Sequence, residues 1–169
     1  TPKDPKTTLS TPGIDDVTNI TFDWLPTNLN DECDGEHNGE NYFAYTFYLI
    51  NGGGDTIESI TSDIRFTKAT KNIDEALRVM IYKDGIPTIY AQKNRDGSQH
   101  EEEVNKEFFG GYEDPDEESY IIAKDFIWEL KPHQNIKYTI VLWVEGNDPE
   151  CVNDMMDGSV ELEWNFDAM

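Results

Sequence analysis

The chain has 169 residues, 35 of them acidic and 13 basic, giving a formal charge of −22 at pH 7. So negative a surface repels phosphate backbones and anionic lipid head groups, which disfavours nucleic acid and membrane surfaces as partners and is compatible with cations or cationic surfaces. An aromatic content of 12% sets the chain apart from disordered acidic sequences, and its length suits a single folded domain.

Residues 1–16 carry Pro2, Pro5 and Pro12 and no aromatic residue; they read as an extended, mobile tail before a domain spanning 17–169. The start has no Met, charged n-region or apolar h-region, and reads as a processed end compatible with export. No run approaches the ~20 apolar residues of a membrane-spanning helix, so no transmembrane segment is expected. In 17–24, Ile20, Phe22 and Trp24 alternate with Thr21 and Asp23, the pattern of a half-buried strand. An acidic Gly/Asn-rich loop follows to Asn41. The run Tyr42–Ile50 is apolar on both faces and rich in aromatic residues, which predicts a central strand.

Residues 56–68 alternate through Ile60, Ile64 and Phe66, and 71–76 suit one helical turn before a strand at Leu77–Tyr82. Asp84-Gly85 is a hairpin signal, with Thr88–Gln92 as the return strand. Residues 94–118 form a polar, turn-rich loop with one short strand near Phe108. Strands are expected at Tyr120–Leu130, Ile136–Glu145 and Ser159–Phe166, the last placing Val160, Leu162, Trp164 and Phe166 on one face. Turn-separated strands without alternating βα units predict an all-β fold: a single antiparallel β-sandwich, jelly-roll-like, with an immunoglobulin-like sandwich as the alternative.

No catalytic constellation emerges. His100-Glu101 opens a zinc-peptidase pattern, but Val104 stands where the second histidine belongs, and His37 and His133 are remote in sequence. There is no G-x-S-x-G, phosphate loop or dinucleotide fingerprint, and carboxylate pairs mean little among 35 acids. Asp34, Glu36 and Asn38 followed by Gly39 resemble the first half of a calcium loop, but Tyr45 occupies the position of the bidentate Glu. A second oxygen-rich turn contains Asp148. These four residues are the candidate calcium ligands, against the plainer reading of solvated acidic loops. Cys33 and Cys151 both sit in loops beside predicted strands. Paired, they would close a loop worth about 4–5 kcal/mol in the chain-entropy picture; two free thiols are the alternative. Asn19-Ile20-Thr21 is a glycosylation sequon only if the chain follows a eukaryotic secretory route.

Three further stretches carry a resemblance: Glu40-Asn-Tyr-Phe-Ala-Tyr-Thr-Phe-Tyr-Leu-Ile-Asn51, Ala76-Leu-Arg-Val-Met-Ile-Tyr-Lys-Asp-Gly85, and Leu142-Trp-Val-Glu-Gly-Asn-Asp-Pro-Glu-Cys-Val-Asn-Asp154 with Asp157-Gly-Ser-Val-Glu-Leu162 after it. Together they resemble the camelysin/TasA-like proteins of Gram-positive bacteria. The resemblance implies a jelly-roll-like protein exported by signal-peptide removal to the cell surface or biofilm matrix. It also implies fibres in which an N-terminal segment of one subunit completes the sheet of the next. Here that segment would be Thr1–Asp16, whose prolines leave Lys6–Thr11 as the run able to pair continuously. Some relatives are assigned metallopeptidase activity, but no zincin motif is present to carry it. The expected function is therefore a non-enzymatic exported structural or adhesive protein, self-associating or bound to envelope or matrix components. The alternatives are a calcium-stabilised binding module for a glycan or protein and, third, a metallopeptidase.

Overall fold

The computed structural model describes residues 8–10, 21–31, 34–92, 106–109 and 121–169. The strands are β1 (Thr8–Ser10), β2 (Gly35–Glu36), β3 (Phe43–Ile50), β4 (Ile60–Ala69), β5 (Leu77–Lys83), β6 (Ile86–Gln92), β7 (Lys106–Phe109), β8 (Ile121–Ile127), β9 (Asn135–Val144) and β10 (Ser159–Ala168). A single helical turn, α1 (Ile73–Ala76), leads into β5. One sheet has the order β1-β10-β4-β8 and the other β2-β3-β9-β5-β6-β7. The protein is thus an all-β sandwich, as its alternation predicts, and every paired neighbour is antiparallel except β6 with β7, which run parallel.

Period-two patterning explains the main core. Leu77, Val79 and Ile81 of β5 and Ile136, Tyr138, Ile140, Leu142 and Val144 of β9 point inward. The register places Tyr45, Ile140 and Ile81 side by side across three strands, with Phe43, Leu142 and Val79 as the next row. Ile60, Ile64, Phe66, Val160 and Leu162 face them from the other sheet. The β5–β6 hairpin turns on Asp84 (φ 48°) and Gly85 (φ 87°), the paired positive φ values that match strand twist in a two-residue turn.

A second, smaller core lies on the outer face of the six-stranded sheet. Ala44, Val141, Met80 and Ile89 form a row across four strands there, beside Trp143. Leu25 and Leu29 cover this row, and both are buried. This corrects the expectation of a strand at 17–24. Phe22–Trp24 is a 3-10 turn, closed by Trp24 N–H to the Thr21 carbonyl at 2.9 Å and Leu25 N–H to the Phe22 carbonyl at 3.1 Å. Trp24, expected inside, is 72% exposed. Residues 17–20 lie outside the described residues. The residues that anchor this strap are four apart, the spacing of turns, because the strap crosses the sheet instead of joining it.

The same strap explains why β3 is apolar on both faces over Phe43–Thr46: one face meets the main core and the other the outer one. β3 lies inside the sheet, between β2 and β9, as its two apolar faces predict. It pairs with β9 along its length, and on its other side, among the described residues, β2 pairs with Tyr45 and Thr46. Within the segment expected to be a mobile tail, Thr8–Ser10 is a strand, paired with Ser159–Glu161; residues 1–7 and 11–20 lie outside the described residues.

Candidate functional site: an open seam between the two sheets

Among the described residues, one side of the sandwich leaves two strand edges partly uncovered. β10 is bonded to β4 over Val160–Ala168, whereas β1 covers its outer edge only at Ser159–Glu161. From Leu162 to Ala168 that edge has no strand partner among the described residues. The β10–β4 register also shifts between Glu161 and Leu162, where β1 stops. On the opposing sheet, the outer edge of β3 beyond Thr46 is likewise without a strand among the described residues.

Aromatic side chains fill the space between these edges. Phe47 of β3 meets Trp164 of β10 edge-on, with ring centroids 5.0 Å apart at 87°, and stacks on Tyr138 at 5.5 Å. Trp164 and Phe166 stack at 5.4 Å, and Tyr138 lies 5.1 Å from Trp164. Each such pair is worth about 0.5–1.5 kcal/mol beyond its buried area. Phe47, Trp164 and Phe166 remain only half-buried, so the seam presents apolar surface beside strand edges that no described strand covers. That is the combination an added strand requires.

The oxygen-rich turn after β9 does a different job from the one its composition suggests. Asp148 is buried, and its Oδ2 accepts a hydrogen bond from Arg78 Nη2 of β5 at 2.8 Å. Asp148 Oδ1 accepts from the Glu150 N–H at 2.8 Å. Glu145 is buried too: its Oε2 accepts from Trp143 Nε1 at 3.0 Å and from the Phe22 N–H at 3.1 Å, and its Oε1 from the Asn147 N–H at 3.2 Å. These carboxylates tie the turn to β5 and the strap to β9. The sequence carried one signal of this, an arginine set in the apolar run of β5.

The four candidate calcium ligands therefore sit in unlike places. Asp34, Glu36 and Asn38 are exposed around β2, while Asp148 is buried with both oxygens engaged. The Asn38 amide bonds to Glu36, and its Oδ1 accepts from the Ala44 N–H at 2.8 Å. Among the described residues no group of three or more His, Cys, Asp or Glu side chains is placed to hold a metal ion. Burial raises the Tyr45 pKa, and the charges of Asp34 and Glu36 add to the shift.

Cys151 is a free, half-buried thiol. Burial, reinforced by Asp148 and Glu145 and opposed by Arg78, pushes its pKa up to about 11. Cys33, the other half of the candidate bridge, lies outside the described residues, as does His100. His37 Nε2 lies 2.9 Å from Thr46 Oγ1, which in turn meets Thr139 Oγ1 at 2.7 Å. His133 occupies a left-handed turn position (φ 62°) between β8 and β9 and is exposed. No helix among the described residues is long and apolar enough to cross a membrane. No protein-family model and no curated protein matches this chain.

Proposed function

We propose that the protein is a non-enzymatic, exported component of a cell surface or biofilm matrix that assembles by donating its N-terminal strand to a second copy. The observation that carries this reading is the mismatch at β10. Three residues of β1 cover an edge on which Leu162–Ala168 stays open among the described residues, beside the aromatic seam. Seven strand residues span about 23 Å, enough for a donor longer than β1. The proline-free window Lys6–Thr11 supplies up to six residues, twice the number paired among the described residues. Strand exchange between copies would thus form main-chain hydrogen bonds beyond those made among the described residues. The resemblance to the camelysin/TasA-like proteins points the same way. It also supplies the expectation of export and of contact with envelope or matrix components.

The charge of −22 opposes close approach of copies, so assembly should strengthen as salt screens that repulsion. Negative-stain electron microscopy and size-exclusion chromatography test the reading, on concentrated full-length chain at low and high salt beside a chain lacking residues 1–16. Filaments or oligomers from the full chain alone, increasing with salt, are expected. Two monomeric samples, or equal assembly of both, would overturn strand donation.

A further inference from the structure

A cavity of about 100 Å³ lies between the two sheets, lined by strands from both. Its polar wall is an ion pair with unused capacity. Lys83 Nζ on β5 and Asp125 Oδ2 on β8 are 2.6 Å apart, and the Tyr138 hydroxyl donates to the same Oδ2 at 3.1 Å. Asp125 Oδ1 has no hydrogen-bond partner among the described residues, and Lys83 keeps further N–H donors. Beside Asp125, its cross-strand partner Ser62 accepts through Oγ from Trp164 Nε1 at 2.7 Å, which leaves its own hydroxyl hydrogen to give. Thr88 of β6 lines the cavity from the six-stranded sheet, and Trp164 of β10 lines it from the four-stranded one. Lys83 and Asp125 are each more than a third exposed, so the polar wall is reachable from solvent.

We infer that this cavity binds a neutral polyhydroxylated molecule by a pair of adjacent hydroxyls. Three features select that chemistry. The ammonium and carboxylate cancel one another, so neither an anion nor a cation gains a net charge partner, and an anion must also enter the field of a −22 protein. The free carboxylate oxygen accepts from one hydroxyl while the neighbouring hydroxyl oxygen accepts from Lys83, as adjacent oxygens on a polyol allow. Ile64, Ile81 and Trp164, which line the same cavity, suit the C–H side of the same molecule. A volume near 100 Å³ corresponds to about three waters of liquid, so it takes a glycerol-sized polyol or the hydroxyl edge of one sugar ring. The inference stands apart from strand donation, since the cavity is complete within one chain.

The test is an amide-resolved NMR titration of the ¹⁵N-labelled full chain with glycerol, glucose, galactose and mannose. Saturable shifts centred on Ser62, Lys83, Thr88 and Asp125 are expected with at least one probe. Response to a hexose alone assigns a sugar-edge site, and an equal response to glycerol assigns a general polyol site. Asp125→Asn should weaken binding about tenfold, the loss of one charge-assisted hydrogen bond. If Asp125→Asn does not fold, Lys83→Gln and Thr88→Val carry the same comparison. The inference is overturned by the absence of saturable shifts with every probe, by shifts centred elsewhere, or by full affinity in the folded variants.

Discussion

Arg78 and Asp148, seventy positions apart in sequence, form an ion pair at 2.8 Å whose side chains are 1% and 0% exposed. A pair so deeply buried contributes little net stability when intact, but losing one partner strands the other charge away from water. Asp148→Ala or Arg78→Leu should therefore cost about 3–5 kcal/mol in urea unfolding. The loss should be the same with chelator and with added calcium. A deficit confined to the calcium-loaded protein would instead make Asp148 a ligand.

Gly158 starts the approach to β10 in a space with no room for a methyl group. A Cβ there would lie 2.8 Å from the Met155 carbonyl oxygen and 3.1 Å from Ile73 Cβ. Gly158→Ala should destabilise by about 1–3 kcal/mol through overpacking. Gly52→Ala, where a Cβ meets nothing within 4 Å, is the matched control and should be near neutral. Thermal melts of the pair measure the difference.

The strap makes a separate claim. Leu29, 3% exposed, should cost about 2–5 kcal/mol when truncated to Ala, as a buried leucine does. If the strap merely drapes over the sheet, the cost falls below 1 kcal/mol. Denaturant midpoints decide between these values.

The Cys151 thiol, raised from 9.0 to about 11, keeps its proton in the folded protein at pH values where an unfolded thiol is ionised. The folded state thus holds more protons between pH 9 and 11, so this contribution to stability is present below pH 9 and lost as pH rises through 11. In a Cys33→Ser background, alkylation at pH 8 should be slow for folded protein and fast in denaturant. Equal rates would show the thiol open to solvent.

Strand donation can be tested by locking β1 in place. Thr8 and Glu161 are Cα partners, so Thr8→Cys with Glu161→Cys, in a background lacking Cys33 and Cys151, can bridge β1 to its own β10. The oxidised form should stay monomeric and regain assembly on reduction. Assembly by the oxidised monomer would show that β1 is not the donor.

How much of this was legible in the sequence depends on where each residue's partner lies. β9 and β10 were readable because alternation reports directly on a face buried by the opposite sheet. The strap was misread because Phe22 and Trp24 mimic alternation, while Leu25 and Leu29 take their meaning from a sheet face assembled by β3, β5, β6 and β9. Asp148 and Glu145 looked like solvated acids for a related reason: Arg78 lies far along the chain, and only pairing of β5 with β9 brings it near. The open seam has no sequence signature, since an unpaired edge is a property of the assembled sheets.

The strap also sets an order of events in folding. Its two leucines have nothing to bury against until four strands are in register, so it docks after the sandwich has formed. By the same reasoning it can detach without the sheets coming apart. Its amides should exchange with solvent, and its peptide bonds yield to protease, through an opening that leaves both sheets intact.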